Sequence, residues 1–168
     1  VIFLSIDRVQ FHIHKANMQV AAAGFSSDLI RILSNDGAVN LTETAATLEL
    51  LFAFLYPKRH PTLTGITFET LELVAEAAEK YEVYAAINIC ISRMREKVKE
   101  YPIEVLNYAF KHGYTDLINQ AGPLTINLSF QKIADRMAPS LLAPWVRFFH
   151  FIPKTPLISS SYVTTSGG

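Results

Sequence analysis

The sequence lacks an excess of charge of either sign, because 15 lysine and arginine residues balance 15 aspartate and glutamate residues. This balance disfavours partners that must be held by a broad electrostatic field, so we expect neither nucleic acid nor a membrane surface as a partner. The sequence also lacks any apolar run near the ~20 residues that cross a bilayer. The apolar opening over residues 1–4 is too short for the core of a signal peptide, so no membrane anchor is predicted.

Cysteine is almost absent, and Cys90 alone cannot form an internal disulfide. A reducing intracellular compartment is therefore expected, without a distinction between nucleus and cytoplasm. The 7 glycines are scattered, so the sequence contains no glycine-rich phosphate loop. We therefore predict no cofactor.

Apolar residues are abundant and make up 50% of the 168 positions. A chain of this length can bury roughly 70% of the surface that it exposes when unfolded, which is enough for one core without disulfides or metals. An apolar, β-prone run over 1–6 and alternating apolar residues over 9–13 predict a β-hairpin, and a short strand is predicted over 38–42. Most of the remainder has helical spacing. We predict an α+β fold in which a small sheet of three strands, or slightly more, packs on five to six helices.

Capping residues, prolines and glycines set the predicted helix boundaries. The predicted helices span residues 15–33, with an interruption near Gly24, and residues 44–56, 67–81, 84–98, 102–113 and 115–122. The last two form an αα-hairpin that is expected to end at Gly122-Pro123. A further helix is predicted over 129–137, and Pro139 and Pro144 are expected to break the helical pattern after it.

Two groups of side chains are candidates for a chemical site. His12 and His14 lie two apart on one strand face and could offer two imidazoles to a metal, but no cysteine or acidic cluster near them completes a site. We expect one imidazole to bond at the strand exit and the other to be exposed, with no metal bound. Cys90 lies mid-helix between Ile89 and Ile91 and is expected to be packed rather than reactive. We predict no catalytic residue and no enzymatic activity.

Three further stretches are candidates for a binding surface. A basic stripe alternates by two along one helix, which spreads its charges around the helix, and neighbouring glutamates dilute them, so a solvated face is expected. A polar turn is expected for the basic loop over 58–60. The aromatic cluster near the end of the chain is a candidate partner surface, with packing back on the core as the alternative. The stripe is Arg93, Arg95, Lys97 and Lys99, and the cluster is Trp145, Phe148 and Phe149.

Several short motifs occur in the same order as in the BTB/POZ domain family and resemble that family. The strand exit VQFHIHK resembles the family's F-x-x-H-(K/R) motif, and an aromatic residue follows ten positions later. The segment LELLFAFLYP resembles the central L-x-x-L-L-x-F-x-Y helix, and LVAEAAEKYE resembles the L-L-x-x-A-x-K-Y helix. The match is most similar to BTB-domain proteins abundant in basidiomycete fungi. The motif residues, carried over as fold residues, are Phe11, His14, Lys15, Phe25, Tyr56 and Tyr81.

This resemblance implies a BTB/POZ-like domain over residues 1–121, followed by a helical and aromatic extension over 122–158. The Ser, Thr and Gly composition of residues 159–168 predicts a disordered tail. The resemblance also implies a protein–protein interaction domain, a scaffold or adaptor that self-associates or recruits another protein. Only a weak homodimer is expected, because the chain begins at the first strand and Lys15 lacks the acidic residue that the family places before that strand.

Two other functions remain open. Many BTB proteins are substrate receptors of cullin-3 ubiquitin ligases, and cullin-binding members carry an apolar-x-Glu motif before the third strand. Here Asn35 stands two positions after Leu33, where that glutamate is expected, so binding to cullin-3 is disfavoured. The other alternative is a small enzyme of unrecognised type that uses His12, His14 or the C-terminal aromatic residues.

Overall fold

The computed structural model describes residues 1–25, 34–35 and 37–151. Within these residues the fold is α+β, and apolar side chains from the sheet and from the helices share one buried core. The helix predicted over 15–33 is described only in its first part. Its remainder and the tail over 159–168 lie outside the described residues.

The sheet contains four strands, which are β1 (Ile2–Leu4), β2 (Gln10–His12), β3 (Ser34–Asn35) and β4 (Ala38–Asn40). β1 pairs antiparallel with β2, which confirms the predicted hairpin, and it pairs parallel with β4 on its other side. β4 also pairs antiparallel with β3, so the strand order is β2-β1-β4-β3. Phe3, in the middle of β1, lies between Phe11 and Val39 and is fully buried, which places the centre of the core against β1.

Helices account for most of the described residues. They are α1 (Lys15–Ala21), α2 (Ala45–Phe52), α3 (Phe68–Lys80), α4 (Tyr84–Lys97), α5 (Pro102–His112), α6 (Thr115–Thr125), α7 (Phe130–Arg136) and α8 (Pro139–Phe151). A 3-10 turn over Ala53–Leu55 prolongs α2. The six helices up to α6 match the expected number, and α7 and α8 belong to the predicted extension.

Local signals set several of these boundaries. Thr44, Thr67 and Ser129 precede α2, α3 and α7, and each side-chain oxygen accepts the backbone N–H of the residue three positions later. Pro102 starts α5, where its missing N–H costs no helical bond, and Gly113 ends it with a φ of 77°. These boundaries follow the sequence prediction.

The prediction that α6 ends at Gly122-Pro123 is wrong, because the helix continues to Thr125. Pro123 lies in the last turn, so its missing N–H removes only one backbone hydrogen bond. At the helix end the hydroxyl of Thr125 donates to the carbonyl of Gly122 at 2.7 Å. This side-chain bond satisfies a carbonyl that has no partner further along the helix.

The expectation that Pro139 and Pro144 break the helical pattern is also wrong. Pro139 is the first residue of α8, where proline is well tolerated, and Pro144 lies inside the helix. Leu141 and Trp145 are four residues apart on the same helix face and are both buried. Their burial offsets the backbone hydrogen bond that Pro144 cannot make.

A close backbone contact joins the end of α1 to the end of α3. The N–H of Gly24 donates to the carbonyl of Tyr81 at 3.1 Å. A Cβ atom on Gly24 would lie 2.6 Å from the carbonyl carbon of Tyr81, so only glycine fits here without displacement. This contact places Phe25 beside the ring of Tyr81.

Candidate functional site

Four of the six motif residues lie in or beside a row of aromatic side chains that crosses the core. The rings of Phe25 and Tyr81 stack with centroids 4.4 Å apart, and Phe25 also lies 5.1 Å from Phe3. Phe52 lies 5.4 Å from Phe3 and 5.3 Å from Phe11. Residues from β1, β2, α2 and the end of α3 therefore contact one another through their rings. The fourth motif residue of this region, Tyr56, follows the 3-10 turn.

The strand exit joins that turn through a second contact. Nδ1 of His14 lies 3.3 Å from the hydroxyl oxygen of Tyr56, and the two rings meet edge to face. Lys15 and His12 are exposed. As expected, His14 makes a contact at the strand exit and His12 is exposed, although the side chain of His14 is exposed as well. No group of three or more metal-ligating side chains occurs in the described residues.

Tyr81 also belongs to a polar network that the sequence did not predict. Its hydroxyl donates to Glu43 Oε2 at 2.6 Å, and Nζ of Lys80 donates to Glu43 Oε1 at 2.8 Å. Burial of Glu43 would raise the pKa of this carboxyl, but the hydrogen bonds from Lys80 and Tyr81 outweigh burial and lower it. Burial and the contact with Glu43 raise the pKa of Tyr81. At neutral pH, Glu43 is therefore held ionised and Tyr81 protonated.

Two residues before Tyr81, Glu79 at the end of α3 binds two tyrosines of the αα-hairpin. The hydroxyl of Tyr108 donates to Glu79 Oε1 at 2.7 Å, and the hydroxyl of Tyr114 donates to the same oxygen. Burial and the carboxylate of Glu79 raise the pKa of Tyr108, and they raise the pKa of Tyr114 to about 12. Cys90 is fully buried, as expected, and burial, helped by the charge of Glu79, raises the pKa of its thiol to about 12.

Of these groups, Glu43, Glu79 and Lys80 line a cleft of about 610 Å³, here called the polar cleft. Glu76 accepts from Nζ of Lys111 at 2.6 Å and lies 3.2 Å from Nε2 of His112. Each carboxylate of the cleft thus already has a partner inside the protein, so the charges serve to join α3 to its neighbours. The charged and hydroxyl residues that line the polar cleft are Thr42, Glu43, Thr44, Thr47, Glu76, Glu79, Lys80, Lys111 and His112.

The basic stripe lies on α4 and is partly neutralised there. Arg93 pairs with Glu96 at 2.6 Å, and Lys97 pairs with Glu100 at 3.1 Å. Residues 58–60 are exposed, and Nζ of Lys58 lies 5.8 Å from the ring centroid of Tyr56. Neither arrangement assembles a continuous cationic surface from the described residues.

The aromatic cluster does not present its tryptophan on the surface. Trp145 is 6% exposed, and its Nε1 donates to Oγ1 of the buried Thr125 at 2.7 Å. Trp145 therefore packs on the helical part of the molecule. The side chains of Phe148 and Phe149 lie outside the described part of the chain, and so do Leu33 and the side chain of Asn35.

No family model and no curated protein matches the chain. None of the described helices is both long enough and apolar enough to cross a bilayer.

Proposed function

We propose that this chain is a protein–protein interaction domain with a BTB/POZ-like fold, which associates weakly with itself and recruits another protein. The observation that carries the proposal is the meeting of residues that the family motifs single out. Phe11, Phe25 and Tyr81 are far apart in sequence, yet they lie in one row of ring contacts, and His14 contacts Tyr56. Motif residues that lie together support a shared fold better than similar segments alone.

The surface of α1 supports self-association with a second copy. Val20 is 91% exposed, and Met18 is the one fully buried residue of this helix. A β-branched apolar residue on an exposed helix face does not stabilise the fold, because its helix propensity is low and its side chain is not buried. Contact with another surface would supply the missing burial.

The size of this surface limits the strength of the dimer. Burial of one valine stabilises by at most about 1.5–3 kcal/mol, so a symmetric pair contributes about 3–6 kcal/mol. Association also costs free energy through lost translational and rotational freedom, which offsets part of this contribution. The neighbouring exposed residues, Lys15, Ala16 and Gln19, are charged, small or polar and add little apolar area. A dimer through α1 is therefore weak.

Sedimentation velocity over a concentration series tests this proposal. We expect a monomer near 18.8 kDa at low micromolar concentration and a growing dimer fraction toward about 500 µM. Val20→Asp should remove the concentration dependence. Phe130→Asp is the matched control, because it changes another exposed apolar residue at a helix start, where an acidic side chain is favourable.

Two results would contradict the proposed surface. A dimer that persists on dilution to nanomolar concentration would require an interface much larger than α1 offers. Equal behaviour of the wild type, Val20→Asp and Phe130→Asp at every concentration would remove α1 from self-association.

A further inference from the structure

An apolar cleft of about 240 Å³ lies between α5, α6 and α8 and is here called the apolar groove. Phe110 is 42% exposed at this groove, although most apolar residues of α5 are buried. An aromatic ring left in water at the edge of an apolar cleft forgoes hydrophobic stabilisation that a bound side chain would restore. The apolar lining is Leu106, Phe110, Ile118, Pro123, Leu141 and Trp145.

A second cleft, of about 330 Å³, adjoins the apolar groove and shares Phe110 and Leu141 with it. It contains the carboxylates of Glu72 and Glu104 and is here called the acidic cleft. Glu104 Oε1 accepts from Nη2 of Arg136 at 2.6 Å, whereas Glu104 Oε2 is buried with no hydrogen-bond partner among the described residues. Buried carboxylate oxygens normally accept a hydrogen bond. Glu104 therefore has unused capacity to accept a hydrogen bond, and a bound donor can use it once the Glu104 side chain rotates toward the acidic cleft.

The charges of the acidic cleft do not balance. Glu72 and Glu104 face the single guanidinium of Arg136, while Glu76 at the rim is already paired with Lys111. Burial raises the pKa of Glu72, the charge of Glu104 raises it further, and Arg136 opposes both. Two carboxylates that share one cation in a half-buried setting would be stabilised by a second cation.

The spacing of the two clefts fits an extended chain. Glu104 and Phe110 both line the acidic cleft, and Phe110 and Leu141 also line the apolar groove, so the two clefts are continuous. Glu104 and Phe110 are roughly 9 Å apart along the axis of α5 and point about 120° apart around it. An extended peptide advances about 3.3 Å per residue, and a long Arg or Lys side chain adds to its reach, so a basic and an apolar side chain about three positions apart can enter the acidic cleft and the apolar groove together.

We infer that the two clefts bind an extended peptide segment of a partner protein. An Arg or Lys of the segment pairs with Glu72 and Glu104, and an apolar side chain about three residues away covers Phe110. The inference goes beyond the proposed function, because this surface belongs to α3, α5, α6 and α8, whereas self-association uses α1. It names the chemistry of the partner, which is a short basic and apolar motif.

Fluorescence anisotropy with synthetic peptides on the full chain tests the inference. The probes are fluorescein-labelled Gly-Arg-Ala-Ala-Phe-Gly and its reversed order Gly-Phe-Ala-Ala-Arg-Gly, each with a counterpart carrying Gln for Arg. We expect saturable binding of one order with a Kd below ~1 mM. The Gln counterpart should bind at least about fivefold more weakly than the Arg peptide. The ratio of the two Kd values should fall as NaCl is raised from about 50 to about 500 mM.

Variants of the chain connect the binding to the two clefts. Glu72→Gln should abolish the preference for Arg over Gln, and it should not harm folding because it removes a poorly neutralised charge. Phe110→Ala should weaken both peptides about fivefold. Glu100→Gln and Phe130→Ala are the matched controls, since they change an exposed carboxylate and an exposed aromatic residue that line neither cleft. Circular dichroism verifies that each variant is folded.

Three outcomes would overturn the inference. They are the absence of saturable binding for both peptide orders, equal affinity of the Arg and Gln peptides for the wild type, and a preference for Arg that survives Glu72→Gln. None of them affects sedimentation of the Val20 variants, so failure here is distinguishable from failure of the proposed self-association.

Discussion

The contact between Trp145 and Thr125 makes α8 part of the folded core, and it can be tested by substitution. Trp145 is 6% exposed and contributes both a large apolar ring and an N–H donor. Trp145→Ala should lower the free energy of unfolding by about 3–5 kcal/mol, because it removes most of that ring from a packed surface. The variant should still fold, since domains of this size have about 5–15 kcal/mol of stability.

A double-mutant cycle separates the hydrogen bond from the packing. Trp145→Phe keeps a ring in place and removes the indole N–H, while Thr125→Val removes the acceptor and also the bond from Thr125 to the carbonyl of Gly122. We expect Thr125→Val to cost about 1–3 kcal/mol, because it leaves a buried carbonyl without its side-chain donor. The coupling energy between the two positions should be about 0.5–1.5 kcal/mol, the net value of one intramolecular hydrogen bond.

Thermal and urea unfolding followed by far-UV circular dichroism measure these differences without relying on tryptophan fluorescence. In a chain of this length each kcal/mol corresponds to about 2–4 °C, so Trp145→Ala should lower Tm by about 6–20 °C. Val146→Ala is the matched control on the same helix, because its side chain is 46% exposed and its loss should change stability by less than about 0.5 kcal/mol. Equal melting temperatures for Trp145→Ala and Val146→Ala would refute the packing of α8.

Three further predictions concern the junction of the sheet with the helices and the buried thiol. The pKa of Glu43 is lowered in the folded protein, so its ionised form stabilises the fold above about pH 4.3, and this stabilisation is lost as the pH falls through the folded value. In urea unfolding, Tyr81→Phe should therefore lower the free energy of unfolding more at pH 7 than at pH 3. An equal loss at both pH values would contradict the network. Gly24→Ala should cost about 1–3 kcal/mol in the same assay, because its Cβ meets the backbone of Tyr81, and an unchanged midpoint would contradict that contact. Cys90, with a thiol pKa of about 12, should react with a disulfide reagent only when urea unfolds the chain, so prompt reaction of the native protein would show that the thiol is accessible.

The features that the sequence predicted well depend on residues close together in the chain. The hairpin follows from alternation over a few residues, and Thr44 and Thr67 start their helices through bonds to a backbone N–H three positions later. Pro102 and Gly113 likewise bound α5 through their own backbone preferences. Each signal acts within about one helical turn, so tertiary packing does not have to be known.

The prolines of the extension show where local rules fail. Pro123 and Pro144 each remove a helical hydrogen bond, and sequence reasoning alone ends a helix at such a residue. In the structure both lie inside helices. At Pro144, Leu141 and Trp145 bury apolar surface on the same side of α8, and near Pro123 the hydroxyl of Thr125 donates to the carbonyl of Gly122. The apolar contacts that decide the outcome are made with other helices, and no local pattern encodes them.

The polar cleft was missed for a related reason. Glu43 bonds to Tyr81 across 38 residues of sequence, and Glu79 bonds to Tyr108 across 29. Neither spacing forms a motif, and each glutamate resembles an ordinary surface residue in its own helix or loop. Only the fold brings these groups together, since α3 contacts both α2 and the αα-hairpin.

The buried positions that carry the family resemblance differ from the exposed positions that we propose bind a partner. Phe25 and Tyr81 are buried in ring contacts, so their side chains are not available to a partner. Conversely, Val20 and Phe110 are exposed and take no part in the motifs. A related chain could therefore keep the buried motif residues and bind another partner, because these residues stabilise the framework, whereas the recognition that we propose uses exposed residues on α1 and α5.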